Sequence, residues 1–139
     1  MGPLKLTFDD VVATITLDRQ DESNGIDGEM SRALSDACAL IAENRDLRLL
    51  VLTAEGEVFS TDTTTRPEGN PSKPLSSLSV PVLVALNGDA MGLGLELALA
   101  GDLRVCIPSA KFGFPGLAQG VFPQNGGTQR LPRLIGPAW

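Results

Sequence analysis

Glu96 is a single carboxylate set inside an apolar run: Leu93, Leu95, Leu97, Ala98, Leu99 and Ala100 suit a buried helix around it. A carboxylate in such surroundings is costly unless something pairs with it or a reaction uses it. Gly92 and Gly94 stand at the start of that helix and free backbone N–H groups there. Such groups can stabilise an anion, and an acid one turn away from them makes a plausible reaction centre.

Three glycine-rich strand-to-helix motifs fail on chemistry. A dinucleotide fingerprint needs Gly or Ala where this chain has Leu97, and the Gly-Lys-Ser/Thr of a phosphate-binding loop is absent. A nucleophile elbow would centre on Ser, but Gly88-Asp89-Ala90-Met91-Gly92 has Ala90 there, which cannot attack.

The elements that must position these groups read clearly. Leu4–Phe8 and Val11–Leu17 are expected as strands joined at Asp9-Asp10, followed by a polar loop over Asp18–Gly25. Asp27 can cap a helix whose apolar face is Met30, Ala33, Leu34, Ala37, Cys38 and Ile41 and which ends near Glu43-Asn44. Leu47–Leu52 makes the next strand, completing a right-handed strand-helix-strand unit. Val58-Phe59 follows a turn, and Ser60–Ser79 is a polar loop with a short helical turn near Pro74–Leu78. Val82–Leu86 reads as a fully buried strand, broken by Asn87-Gly88. Leu103–Ile107 is a strand, Lys111–Phe114 a short extended piece and Thr128–Leu134 a last helix.

The same stretches resemble the enoyl-CoA hydratase/isomerase (crotonase) family. The resemblance is carried by Pro81-Val82, Asn87-Gly88, Gly92-Leu93-Gly94-Leu95-Glu96-Leu97-Ala98, Gly101-Asp102-Leu103-Arg104, Ala110-Lys111-Phe112-Gly113 and Gly126-Gly127-Thr128-Gln129-Arg130-Leu131-Pro132-Arg133-Leu134. It implies an α/β fold, a crotonase-like spiral of β-β-α units, formed as one domain over residues 1–139 and lacking the family's C-terminal helical part. That part generally caps the acyl pocket and builds the trimer, so a trimer or hexamer is implied only for the full domain.

The resemblance implies an acyl-CoA substrate and no permanently bound cofactor or metal. Enzymes of this type hold a thioester carbonyl with two backbone N–H groups, which stabilise an enolate. The matched donors are Leu93 and Thr63, with Glu96 as acid/base. Two departures stand out. Asp62 replaces the family glycine before Thr63, putting negative charge beside the donors; Gly116 stands where a second catalytic glutamate follows Phe112-Gly113-Phe114-Pro115. Substrate contacts are implied at Arg19 and Asn24, in the loop expected near coenzyme A, and at Gly92, Gly94, Gly116 and Gly126. Against this stand a non-catalytic acyl-CoA-binding or interaction protein and a single-carboxylate decarboxylase-type enzyme. The plain structural alternatives are Glu96 paired with Arg104 or Arg130, and Arg19 paired with Asp18 or Asp21.

Composition narrows the remaining choices. The net charge of −6 and the absence of a basic cluster argue against nucleic-acid binding. There is no histidine, which removes the commonest general base and metal ligand. Cys38 and Cys106 are isolated in apolar segments and read as small buried thiols. Leu4–Phe8 is too short for a signal-peptide core, and charges interrupt every long apolar run. A soluble, cytoplasmic protein is expected.

Overall fold

The computed structural model describes residues 2–139. Strand β1 (Leu4–Asp9) pairs antiparallel with β2 (Val12–Leu17) through a tight turn in which Asp10 takes a positive φ of 50°. Aspartate is among the residues that adopt this conformation most readily.

Helix α1 (Gly28–Glu43) then crosses over to β3 (Leu49–Ala54), parallel to β2. Asp27 caps α1 as expected, its carboxylate accepting the Met30 N–H at 2.9 Å. Met30, Leu34, Ala37, Cys38 and Ile41 are buried on one face, where they join the sheet core.

From β3 onward the chain winds as a spiral in which each turn adds a strand to each of two sheets. The first turn gives β3 and β4 (Val58–Ser60), and ends in the short helix α2 (Lys73–Ser76). The second gives β5 (Val82–Leu86), β6 (Asp89–Met91) and helix α3 (Leu93–Leu99). The third gives β7 (Leu103–Cys106), β8 (Phe112–Gly113) and helix α4 (Gly127–Ile135). The larger sheet has the order β1-β2-β3-β5-β7, and the smaller β4-β6-β8, parallel throughout.

Three expectations need correction. Strand β6 was not foreseen: Asn87-Gly88 does not end the sheet structure but redirects the chain into the second sheet. Strand β5 is buried on one face only, with Leu83 and Ala85 partly buried, because helices cover one side of the large sheet. Cys106 is exposed on β7, while Cys38 is buried, and burial pushes its thiol up to about 11.

All seven residues of α3 are buried, Glu96 included. At about 1.5–3 kcal/mol per fully buried large apolar side chain, Leu93, Leu95, Leu97 and Leu99 make α3 the main hydrophobic anchor of the spiral. Its C-terminal carbonyls are closed by Arg104, which donates to the carbonyls of Ala98 at 3.2 Å and Gly101 at 2.7 Å. The Asp102 carboxylate accepts the Val82 N–H at 2.7 Å and ties the end of α3 to the start of β5.

An open apolar face lies beyond this anchor. Leu103 and Val105 of β7 are more than half exposed, and a groove of about 300 Å³ runs between Val105, Phe112, Leu131 and Ile135. Among the described residues, no helix is long and apolar enough to cross a membrane.

Candidate functional site

Helix α3 starts at a backbone position only glycine suits. Gly92 has φ 55° and ψ −121°, and a Cβ there would run into the Asp62 carboxylate. Two residues on, a Cβ at Gly94 would overlap the carbonyl of Ser60. The two glycines therefore let the segment after β4 lie directly against the first turn of α3. That segment is pinned from its other side: the Ser60 hydroxyl donates to the Asn24 carbonyl at 2.8 Å, and the Thr61 N–H to the Ser23 carbonyl at 3.1 Å.

Glu96 is 2% exposed and takes its hydrogen bonds from neutral donors alone. Its Oε1 accepts the backbone N–H of Asn125 at 2.7 Å and of Gly127 at 3.0 Å; its Oε2 accepts the Asn125 side-chain amide at 3.3 Å. The suggested pairing with Arg104 or Arg130 does not occur. Arg104 serves the end of α3, and Arg130 donates to the Asn125 carbonyl at 3.3 Å. Arg130 thus braces the loop that holds Glu96 without touching the acid. Gly126, at φ 98°, turns that loop into α4, and the bare Cα of Gly127 lets its N–H reach the carboxylate.

Asn125 is the residue that reasoning on the sequence missed. Its position just before Gly126-Gly127 was the available signal, because an amide beside a turn can offer a side-chain and a backbone donor together.

Leu93 and Thr63 come out differently from each other. The Leu93 N–H donates to Asp62 Oδ1 at 3.0 Å, so the matched donor is already engaged, and by the residue whose charge was expected to oppose an oxyanion. Thr63 is partly buried beside Gly25, and its hydroxyl accepts the Thr65 N–H at 3.2 Å. Gly116 sits in a 3₁₀ turn over Pro115–Gln119, where an added Cβ would lie 3.2 Å from that of Val121. Val121 thus occupies the space into which a side chain at 116 would grow.

Asp62, Arg66, Leu93, Glu96, Phe114 and Gly116 line one small, partly open cavity of about 10 Å³. That is room for about one water. The structure therefore brings Glu96, Leu93, Gly92 and Gly116 together around this small space.

Arg19 and Asn24 lie apart from this cavity in a knot of their own. Arg19 faces Asp27 at 2.9 Å, Glu29 at 3.5 Å and Glu22 at 3.6 Å, and donates to the Gly25 carbonyl at 2.8 Å. These partners replace the Asp18 or Asp21 suggested by sequence; Asp18 pairs with Lys5 at 2.8 Å instead. The hydrogen bond from Arg19 holds the Asp27 carboxyl below its ordinary value of 3.8. Asn24 is fully buried and clamps three segments: it accepts the Arg19 N–H and donates to the carbonyls of Glu55 and Val58. Asn24 is fully engaged in building the loop, Arg19 in all but its buried Nε, which has no hydrogen-bond partner, and neither residue lines the Glu96 cavity.

The comparisons with known proteins bear on the family and the fold. The enoyl-CoA hydratase/isomerase family model matches residues 7–139. The Bacillus subtilis protein YngF is 38% identical over 141 residues, covering 90% of this chain and 54% of that protein. The carnitinyl-CoA dehydratase of Salmonella enteritidis is 37% identical over 150 residues, covering 97% and 57%. The crystal structure of enoyl-CoA hydratase from Bacillus anthracis superposes with a TM-score of 0.88 at 31% identity, covering 96% of this chain and 58% of that one. The chain thus spans a little over half the length of these relatives, and the two-sheet spiral is the crotonase fold. A family model matched from residue 7 to the last residue, on a backbone of the same course, leaves one assignment: the chain belongs to the enoyl-CoA hydratase/isomerase family.

Proposed function

We propose that this chain forms a crotonase-like domain that takes an acyl-CoA thioester as substrate rather than any resident cofactor. Glu96 is the acid/base that moves a proton at the α-carbon, and the N–H groups of Leu93 and Thr63 hold the thioester oxygen as it gains enolate charge. Gly92, Gly94 and Gly126 give the backbone its close approach, and Gly116 leaves the site with one glutamate. One observation carries this reading: a buried carboxylate, satisfied by three neutral donors and without an ion-pair partner among the described residues, one turn from the Leu93 N–H. A carboxylate retained for structure alone is ordinarily neutralised by a cation.

Calorimetric titration with acetoacetyl-CoA, an enolate-like thioester, tests the binding step. Saturable binding is expected, together with turnover of an enoyl-CoA that Glu96→Gln abolishes. No binding at millimolar ligand would remove the reading.

A second reading keeps acyl-CoA binding without catalysis. It is favoured by the single glutamate and by the engaged Leu93 N–H. It expects equal acetoacetyl-CoA affinity for the native chain and Glu96→Gln, with turnover in neither. Assembly into trimers belongs to either reading, and light scattering measures it.

A further inference from the structure

We infer that the Asp62 carboxylate occupies the oxyanion position at Leu93, and that a thioester binds only by displacing it. The inference rests on the acyl-CoA reading above and adds a residue that sets affinity at that site. The Leu93 N–H points at Asp62 Oδ1 at 3.0 Å, within the range of a good charge-assisted bond. The carboxylate lies over Gly92, in space that any other residue at 92 would fill with its Cβ. A thioester oxygen at hydrogen-bond distance from that N–H would need the place Oδ1 now holds. An enolate arriving beside a retained carboxylate would also bring two negative charges together.

The exchange needs a side-chain rotation only. Asp62 is exposed, whereas Ser60 and Thr61 are held by the Asn24 and Ser23 carbonyls. The root of the loop stays fixed while the carboxylate swings to solvent. Asp62 therefore selects for ligands whose other contacts outweigh the loss of one charge-assisted hydrogen bond.

The test pairs a spectroscopic with a binding readout, on the native chain, Asp62→Ala and Asp62→Gly. In the ¹H–¹⁵N spectrum, removal of the carboxylate should move the Leu93 amide proton upfield and speed its exchange with solvent. Acetoacetyl-CoA should bind both variants about tenfold or more tightly than the native chain. An unmoved Leu93 amide would overturn the occupancy of the hole. Equal affinity of the native chain and both variants would overturn the competition. A shifted amide with no acetoacetyl-CoA binding by any of the three would support Asp62 as the occupant and remove the acyl-CoA reading instead. A dispersed spectrum for each variant establishes that it is folded.

Discussion

Two turns of this molecule bury charge in opposite ways. In the Arg19 loop a guanidinium that is 12% exposed meets three carboxylates and a carbonyl, and Asn24 binds the neighbouring backbone on three sides. At the start of α3 a more deeply buried carboxylate meets only N–H dipoles. Opposite charges at close range fix a loop, because removing either leaves the other uncompensated. Fixed dipoles satisfy an ion while leaving its charge uncancelled, which is what proton transfer or electrostatic catalysis needs. The first arrangement builds structure; the second leaves a charge available to the acid/base role proposed for Glu96.

The contrast can be broken from either side. The largest effect is expected at Gly94→Ala, whose Cβ meets the Ser60 backbone carbonyl and cannot be relieved by a side-chain rotation. A loss of at least about 3 kcal/mol, or failure to fold, should appear in urea denaturation. Asn24→Ala removes three hydrogen bonds from a fully buried site at φ 52°. Its denaturation midpoint should fall by the equivalent of about 3 kcal/mol, given about 1 kcal/mol per bond.

Arg19→Met should cost about 2 kcal/mol, and its effect should depend on pH. The Asp27 carboxyl lies lower in the folded chain than its unfolded 3.8, so its contribution is whole above that value and disappears as pH falls through the folded one. Stability measured from pH 7 downward should therefore decline less steeply below pH 4 in Arg19→Met than in the native chain. Parallel curves would show that Arg19 is not what holds Asp27.

Glu96→Gln sharpens the comparison most directly. Its remaining oxygen can still accept the Asn125 and Gly127 backbone N–H groups, and a turn of the Asn125 side-chain amide lets its oxygen accept from the new NH2, so a change within about 1 kcal/mol is expected. A loss as large as that of Arg19→Met would mean that the two turns store charge alike. The smallest perturbation is chemical. At pH 8 a thiol reagent should label Cys106 and spare Cys38, whose burial keeps it protonated; two labels per native chain would contradict that burial.

Much of this architecture was legible in the residues themselves. The apolar period of α1 and its Asp27 cap are local signals and appear where expected, as does the alternation in β2 from Ala13 through Ile15 to Leu17, whereas Val11, expected to begin it, is exposed ahead of the strand. Strand β6 was not legible, because three residues carry no period of their own and exist as a strand only through pairing with β4 and β8. The turn through Gly92 and Gly94 could be placed before Glu96 from spacing alone. The partners of Glu96 could not, since Asn125 and Gly127 lie 29 and 31 positions away and arrive only through the third turn of the spiral.

By itself, then, the sequence determined which groups carry charge into the core and which glycines let backbones meet, because charge and the lack of a Cβ are properties of single residues. It also identified Asp62 as the anomaly beside the matched donors. Only the tertiary structure decided what that anomaly does. Adjacency in sequence suggested repulsion from an oxyanion hole, whereas folding puts the carboxylate onto the Leu93 N–H, across 31 positions of chain. The same holds for Arg19 and Glu96: each is one charge in the sequence, and the neighbours that pair one with carboxylates and the other with N–H dipoles are supplied by segments that meet only in the folded chain.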